Sequence, residues 1–410
     1  MMKIYNLTKK DVDDNSIKIE VNVDDDILWF KLNKKYEKYL SLDTYDCFLV
    51  AMLVSAMKRH KDIDIDGDIS EKLYYNLTYY VIKMLHILIP STKLIQIKCK
   101  NLVASNFNTG KGVACGLSCG IDSLSCLHDH YYDNKCPKNF QITHVTHFNV
   151  GAHGSTKNFV FRKNNVEKFA EENKLEFIEV NSNLMDLNKA AWIESHTLKN
   201  CSVALLLQKL IGKYYYSSSY QYRDCQIKTT DDISYLDPAL IHLLSTESTQ
   251  FISHGCQHTR IDKIRATTLN PSSYTHLDVC VENDHDRETS TLNCGKCWKC
   301  VRTLITLEML NKFKLYEKCF DNLENYETIS KDYIREYAHK KSAHEPLIKE
   351  MIEYAKKINF GKLLRKSKPG NGKSKAKPNK KASKIKARPK SAPKTTITNR
   401  ISNFNRVAHV

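Results

Sequence analysis

The sequence predicts an α/β fold in which a parallel sheet carries helices on both faces. Strand-like and helical segments alternate from residue 113 onward, which is the pattern of parallel βα units. Residues 113–127 (VACGLSCGIDSLSCL) begin as an apolar run, break into small residues and an acid, and resume with helical apolar spacing. The chain has 410 residues, 41% of them hydrophobic, which is enough for one large domain or two ordinary ones.

The first 110 residues are predicted to form an N-terminal α/β accessory region. Residues 16–40 alternate apolar and polar positions, which indicates an antiparallel hairpin that turns at residues 24–26. Two helical segments and then a strand-like segment follow at residues 45–59, 71–89 and 94–100. These elements precede the regular βα alternation, so the accessory region is assigned to residues 1–110.

The remaining elements divide into a sheet region, a helical region and a tail. Strands are predicted at residues 142–150, 176–180 and 214–219, and helices at residues 164–173, 202–211 and 302–313, with two more within 330–359. The predicted domains are therefore residues 111–320, C-terminal helices at 321–362 and a tail at 363–410. Ligands of parallel sheets bind outside the carboxyl ends of the strands, where Ser118, Asn149 and the serines at 217–219 should meet.

The loop after the first of these strands has the composition of a phosphate cradle. Ser118, Cys119 and Gly120 are small enough for backbone N–H groups to turn inward, and a helix starting near Asp122 would direct its positive end into the same hollow. The sequence is neither G-x-x-x-x-G-K-[ST] nor G-x-G-x-x-G, so those two nucleotide-binding classes are disfavoured. The alternative is a strand-to-helix turn in which Ser118 and Asp122 cap the helix.

A second site is predicted from cysteine spacing. Cys294, Cys297 and Cys300 follow a C-x-x-C-x-x-C pattern, and Cys280 lies upstream across a polar loop. Four thiolates can surround one tetrahedral Zn²⁺, and such a closed shell would make the site structural. An iron–sulfur cluster uses the same ligands, and buried free thiols are the remaining alternative.

Together the two motifs resemble the PP-loop ATP pyrophosphatase family, in particular its 7-cyano-7-deazaguanine synthase-like members. The order S-C-G-I-D-S resembles the family's S-G-G-x-D-S signature, and CGKCWKC followed by Arg302 resembles its zinc site with a following arginine. Residues 146–154 resemble the family's second-strand segment, and the likeness covers roughly residues 111–310. It implies a Rossmann-like fold and an ATP-dependent reaction that forms an AMP-activated intermediate and pyrophosphate. Cys119 stands where the family has glycine, which is costly wherever the loop needs positive φ.

The resemblance also implies roles for the residues of the loop. The ATP phosphates would lie on the backbone of Ser118, Cys119, Gly120, Asp122 and Ser123. Asp122 is the candidate ligand for Mg²⁺ because carboxylate and phosphate oxygens suit that ion, and its alternative role is a helix-capping acid. The candidate catalytic residues are Asp122, Ser123 and Lys263.

Further candidates come from segments farther along the chain. Phe148 and Asn149 are placed to meet adenine or ribose, although an aromatic residue at a strand end is also typical of a core. One of Arg260, Lys263 and Arg265 is expected to neutralise the leaving pyrophosphate, the alternative being a solvated helix face. The histidines that remain as candidates only are His147, His153, His254 and His258.

Cysteine usage and hydropathy predict a cytoplasmic protein without a membrane partner. The chain has 14 cysteines, its opening residues are polar, and its longest apolar stretches are too short to span a bilayer. Thiols outside the zinc set are therefore expected to be small core residues in a reducing compartment, without disulfides.

The positive charge is concentrated in the tail. The net charge is +17, but residues 361–410 contain 16 Lys and Arg and no acid, so 47 basic and 46 acidic residues leave +1 for residues 1–360. The tail lacks apolar periodicity and is predicted to be disordered. It could bind nucleic acid with steep salt dependence, or serve only as a solubilising extension.

Three functions are compatible with these features. The first is an ATP-dependent synthase or ligase that adenylates an acceptor oxygen, most plausibly a carboxylate, on a small molecule or modified base. The second is a tRNA-modifying PP-loop enzyme of the thiolation type, which the tail favours and the neutral body disfavours. The third is a non-catalytic nucleic-acid-binding protein on a degenerate nucleotide fold, which Cys119 would permit.

Overall fold

The computed structural model of the chain describes residues 1–282, 285, 291–341 and 344–364. The predicted tail therefore lies outside the described residues, except for its first two positions. The strands in the described ranges are β1 (Met2–Asp13), β2 (Ser16–Val23), β3 (Asp26–Asn33), β4 (Ile63–Ile65), β5 (Ile69–Ser70), β6 (Ile97–Lys98), β7 (Leu102–Val103), β8 (Gly112–Gly116), β9 (His144–Phe148), β10 (Glu176–Ser182), β11 (Ile211–Ser217) and β12 (Gln250–His254). The helices are α1 (Asp46–Lys58), α2 (Glu71–Asn76), α3 (Ile82–Leu88), α4 (Ile121–Leu127), α5 (Thr156–Glu172), α6 (Leu184–Leu187), α7 (Trp192–Leu206), α8 (Asp237–Leu240), α9 (Arg260–Thr267), α10 (Ser273–His276), α11 (Trp298–Met309), α12 (Tyr326–Tyr333), α13 (His339–Lys341), α14 (Pro346–Lys357) and α15 (Gly361–Leu364).

The described strands build a large, mostly parallel sheet in the order β12-β11-β8-β9-β10-β3-β2-β1-β4-β6, and β5 pairs separately with β7. The five strands from β12 to β10 are parallel to one another. Strand β8 lies between β9 and β11, so the strand order reverses beside it, as in doubly wound α/β folds. The α/β class predicted from the sequence is confirmed at this level.

Alternate residues of these strands face two different cores. Ala114 and Tyr214 belong to a core with α1 and α7, whereas Val113, Cys115 and Tyr215 belong to a core with α4, α5, α9 and α11. Because side chains alternate along a strand, one buried strand supplies both cores. Helices therefore cover both faces of the sheet.

The N-terminal strands extend the central sheet instead of forming a sheet of their own. The predicted hairpin is present as β2 and β3, and β3 pairs antiparallel with β10. The sequence analysis missed β1, because a register shift between Tyr5 and Thr8, with Asn6 at φ 58°, breaks its period-2 pattern. The predicted strand at 94–100 is reduced to Ile97–Lys98.

Helices α5 and α7 both begin earlier than predicted. Helix α5 begins at Thr156 because Ser155 caps it, its side chain accepting the N–H of Asn158 at 3.2 Å. Helix α7 begins at Trp192, not at residue 202, and Ile211 already starts β11. Most of α7 is buried against α1 and the sheet, so it lacks the amphipathic pattern that reveals a surface helix.

The C-terminal helices pack on the core that contains α11. Helix α11 begins four residues before the predicted start at 302, and α12 and α14 account for the two helices expected within 330–359. Leu363, which the prediction assigned to the tail, belongs to α15 and is fully buried. No helix in the described ranges is both long and apolar enough to cross a membrane.

Candidate active site and metal centre

A cleft opens at the carboxyl ends of β8, β9 and β11, where the strand order reverses. It encloses about 850 Å³ of space free of atoms, including the part open to solvent. Its lining includes the predicted residues Ser118, Gly120, Asp122, Ser123, Phe148, Ser217 and Ser219. The structure thus brings the loop after β8, the end of β9 and the serines after β11 to one edge of the sheet, where α/β folds bind ligands.

The loop between β8 and α4 presents its backbone to the cleft. The side chain of Ser118 accepts the N–H of Gly120 at 3.2 Å, and the hydroxyl of Ser123 donates to the carbonyl of Gly120 at 3.1 Å. The first N–H groups of α4 have no acceptor within the helix, and the helical path continues beyond it through residues 128–132. These donors suit an anion.

Cys119 contributes its backbone to this loop but not its thiol. Its φ of 56° is the left-handed conformation that glycine adopts without strain. The side chain is fully buried in the core beneath the loop, and burial, reinforced by Asp278, raises the pKa of the thiol well above its ordinary value. The cysteine side chain therefore stays off the cleft surface and places a small apolar group in the core.

Substitutions at Cys119 should separate backbone strain from packing. Cys119→Gly relieves about 1 kcal/mol of left-handed strain and loses a similar amount of buried side chain, so the free energy of unfolding should change by less than about 1 kcal/mol. Cys119→Val is expected to cost about 2 to 4 kcal/mol, since a β-branched residue strongly disfavours positive φ. Urea unfolding measures both, and equal losses in the two variants would contradict the assigned backbone conformation.

Asp122 forms a buried ion-pair cluster with two predicted cations. Its carboxylate accepts from Nη1 of Arg260 at 2.9 Å and from Nζ of Lys263 at 2.8 Å. Nζ of Lys263 also donates to the carbonyls of Ser218 at 2.6 Å and Ser219 at 3.2 Å. Burial alone would raise the pKa of Asp122, but the two cations lower it to about 2. Both carboxylate oxygens are thus engaged, and a Mg²⁺ ion at Asp122 would compete with Arg260 and Lys263.

The structure separates two further candidates from the site. Arg265 pairs with Asp262 at 2.5 Å, and both side chains are nearly half exposed, so of the predicted cationic trio only Arg260 and Lys263 face the loop. Asn149 donates from Nδ2 to Oδ1 of Asn181 at 2.7 Å and does not line the cleft, whereas its neighbour Phe148 does.

A second, cationic pocket meets the cleft at Gly120, Asp122 and Ser219. Its basic lining residues are Arg260, Lys299 and Arg302, each less than 10% exposed. Burial, reinforced by both arginines, lowers the pKa of Lys299 to about 7. Within the described ranges, Nε of Arg260 and Nη1 of Arg302 have no hydrogen-bond partner, although Nη1 of Arg302 lies 3.8 Å from the Glu345 carboxylate and Asp278 also lines the pocket. Buried donors without acceptors are costly, which favours an anionic ligand in this pocket.

The opposite wall of the cleft comes from residues that the sequence analysis did not select. Trp192, His196 and Asn200 lie one turn apart on α7, and Nδ1 of His196 is 2.8 Å from the Tyr216 hydroxyl. Asp237 accepts from a threonine hydroxyl at 2.9 Å, and burial raises the pKa of its carboxyl well above the ordinary value. Their i, i+4, i+8 spacing could have indicated that these three side chains share one helix face, but the helix predicted from the sequence began only at residue 202.

The candidate histidines fall into two groups. His147 and His153 line the cleft, and burial lowers the pKa of His147 to about 4, so its ring is neutral near pH 7. His254 and His258 lie elsewhere: His254 is the last residue of β12, and His258 lies just before α9.

The four predicted metal ligands form a buried cluster. Their sulfur atoms all lie within 4.8 Å of one another, and Cys297 Sγ is 3.3 Å from Cys300 Sγ. Cys300 sits in the first turn of α11, and the Cys297 N–H donates to Cys294 Sγ at 3.3 Å. The cluster could hold a metal ion such as Zn²⁺, and four protein thiols fit a closed structural shell.

The metal centre is connected to the loop between β8 and α4 through three short contacts. Nη2 of Arg162 donates to the carbonyl of Cys280 at 2.6 Å, and Nε of the same side chain lies 3.3 Å from the carboxylate of Asp278. The N–H of Asp278 in turn donates to the carbonyl of Cys119 at 3.0 Å. A metal ion that orders the cysteine loop would therefore also order the floor of the cleft.

No family model, no curated protein and no solved structure matches this chain. The function must therefore be inferred from the chemistry and geometry of the site.

Proposed function

We propose that this protein is an ATP-dependent synthase of the PP-loop type, which adenylates an acceptor oxygen and releases pyrophosphate. One observation carries the proposal: the loop 118–123 lies where a large cleft meets a pocket lined by buried cations. A nucleoside with an adjoining polyphosphate needs this combination of a cleft and an electropositive recess. The proposed reaction is similar to that of the 7-cyano-7-deazaguanine synthase-like type, in which ATP supplies an activated phosphoanhydride.

In this proposal the loop binds the α-phosphate, and the buried cations bind the pyrophosphate that leaves. The N–H groups at the start of α4 would bind oxygens near the α-phosphate, while Arg260 and Lys299 would neutralise the charge that develops on the leaving pyrophosphate. Asp122 holds Arg260 and Lys263 in position through its two carboxylate oxygens. Mg²⁺ would then be bound chiefly by the phosphates, with Asp122 as a ligand only if one of its cations moves to a phosphate.

The two walls of the cleft suit a flat, polar acceptor beside the nucleotide. Aromatic rings of Phe148 and Trp192 offer stacking surfaces, and His196, Asn200 and Asp237 offer hydrogen-bonding groups. Because its pKa is raised, the Asp237 carboxyl can donate as well as accept. The site would accelerate the reaction largely by holding the acceptor next to the α-phosphate, since the anhydride already provides the leaving group.

The thiolation alternative is less well supported by the cysteines near the loop. Cys115, Cys119 and Cys126 are all fully buried, whereas sulfur transfer needs an accessible thiolate. Burial also raises the pKa of Cys119 and Cys126 well above the ordinary value.

Pyrophosphate release tests the proposal with a matched pair of arginines on α9. Incubation of the full chain with Mg·ATP and a metabolite extract should yield AMP and pyrophosphate. Arg260→Ala is expected to lower this rate about 100-fold or more, because it removes a cation aimed at the leaving group. Arg265→Ala, which loses only a surface ion pair on the same helix, should retain the parent rate.

Equal rates in the two arginine variants, or background hydrolysis alone in the parent, would refute the proposal. Removal of residues 365–410 distinguishes small-molecule from RNA acceptors, and this boundary spares the buried Leu363. Activity on extract metabolites should survive the deletion, whereas activity on RNA should fall steeply with the loss of the basic tail.

A further inference from the structure

Three metal-ligating side chains meet outside both the cleft and the cysteine cluster. Asp129 lies on the helical turn that continues α4, while His254 ends β12 and His258 lies just before α9. One ligand atom from each residue lies within 4.8 Å of the other two. These residues are distant in sequence, so the tertiary structure alone brings them together.

The distances in this cluster suit a divalent transition metal. Oδ2 of Asp129 is 2.6 Å from Nε2 of His258 and 3.6 Å from Nε2 of His254. Two ligands on one tetrahedral Zn²⁺ are roughly 3.3 Å apart, given bond lengths of about 2.0 to 2.1 Å. Only a small shift of the partly exposed Asp129 and His258 side chains would be needed to receive an ion.

His254 supplies an independent sign that a ligand is missing from this cluster. The residue is 2% exposed, and its Nε2 has no hydrogen-bond partner in the part of the chain that the structure describes. Its Nδ1 lies 3.1 Å from Nε2 of His130, whose ring stacks on Tyr215 with centroids 4.0 Å apart. Nε2 of Gln257 lies 3.4 Å from the same Nδ1, so in one tautomer Nδ1 accepts from Gln257 and the Nε2–H points at the Asp129 carboxylate. In the other tautomer Nδ1 donates to the nearer His130, and the lone pair of Nε2 faces the carboxylate. This second tautomer is the metal-binding one, because a cation can lie between the two facing lone pairs while the far ring nitrogen donates to a neighbouring group, as is typical of metal-bound histidine.

We propose that Asp129, His254 and His258 form a second metal site, which binds Zn²⁺ or a similar divalent transition ion. Two imidazoles and one carboxylate leave a fourth position for water, and the partial exposure of Asp129 and His258 gives an ion access. A bound ion would tie the helical segment after α4 to the start of α9, the two helices that carry Asp122 and Arg260. This inference does not depend on the proposed synthase activity.

Metal stoichiometry in the full chain tests the site. The protein is loaded with Zn²⁺, passed over a desalting column and analysed for zinc by mass spectrometry. We expect two equivalents per chain in the parent and one in both His258→Ala and Asp129→Asn, with the cysteine-bound ion retained. His242→Ala, which changes an exposed histidine before β12, should keep two equivalents. When the parent chain carries zinc only at the cysteine cluster, added Co²⁺ should bind at the second site. It should then give ligand-field bands without a thiolate charge-transfer band, because that site contains no cysteine.

The result that overturns the proposal is equally specific. One equivalent of zinc in the parent, with no further Co²⁺ bound on titration, would mean that Asp129 and the two histidines form only a hydrogen-bonded cluster. Two equivalents in the parent that persist in both ligand variants would place the second ion elsewhere. Thermal unfolding adds a second measurement, since Zn²⁺ should raise the melting temperature of the one-zinc parent but not that of His258→Ala.

Discussion

Cys297→Ser is expected to abolish metal binding at the cysteine cluster and with it most of the soluble, folded protein. Cys297 is the N-cap residue of α11, and its Sγ lies 3.3 Å from Cys300 Sγ, so its loss opens the shell at the point where the loop joins the helix. A structural metal contributes its binding energy to folding, and the expected loss in the free energy of unfolding is about 5 kcal/mol or more. Metal analysis and urea unfolding measure the two effects.

Cys256→Ser is the matched control for this variant. Cys256 is also buried, but it lies outside the cluster, and its sulfur is 3.4 Å from the hydroxyl of Ser253. A serine there keeps a hydrogen-bonding neighbour, so it should cost only about 1 kcal/mol and leave the metal content unchanged. If the two variants had the same metal content and the same stability, the cluster would hold no structural ion. Iron with a visible absorption band would indicate an iron–sulfur cluster instead of zinc.

Asp122→Asn is expected to be the most damaging change at the cleft. It leaves Arg260 and Lys263 buried without their shared carboxylate, and breaking a buried ion pair on one side costs about 3 to 5 kcal/mol. Pyrophosphate release should be lost as well, because neither cation keeps its position. Asp262→Asn is the control, because it removes the acid of a surface ion pair on α9. It should lower the free energy of unfolding by less than about 1 kcal/mol.

A second substitution keeps this prediction testable if the single variant folds poorly. Asp122→Asn combined with Lys263→Met removes the unpaired buried ammonium, so about half of the lost stability should return while activity stays absent. A double variant that is no more stable than Asp122→Asn alone would show that the charge pair is not the source of the loss.

The pH dependence of unfolding gives an independent check on Asp122. Its pKa of about 2 in the folded protein lies below the ordinary value of 3.8, so the folded state binds fewer protons than the unfolded state between these values. The ion pair therefore contributes about 2 kcal/mol above pH 4, and this contribution is lost as the pH falls toward 2. Asp122→Asn should lack this part of the acid-induced loss of stability, and an unchanged slope would contradict the assignment.

Features encoded over short stretches could be predicted from the sequence. The strand, loop and helix around Ser118 and Asp122 depend on a local apolar pattern and on small loop residues, and they lie close to their predicted positions. The cysteine cluster follows from the spacing of Cys294, Cys297 and Cys300, which forces three sulfurs into one turn and the start of one helix. Helix α1 was equally clear, because a long apolar run leaves few alternatives.

Features that depend on distant partners could not be predicted. Arg260 and Arg265 lie on the same short helix, and only the packing of α9 against α4 decides that Arg260 meets Asp122 while Arg265 faces solvent. Asn149 and Phe148 are neighbours, yet the alternation of side chains along the strand end sends only Phe148 into the cleft.

The sequence by itself determined the α/β class, the small-residue loop before α4 and the set of four cysteines, because each follows from periodicity or spacing within about 20 residues. Only the tertiary structure decided that the N-terminal strands join the central sheet, that α7 forms a wall of the cleft, and that Asp129 meets two histidines more than a hundred residues away. The physical reason is that these contacts arise from strand pairing and helix packing between segments whose local patterns carry no information about each other.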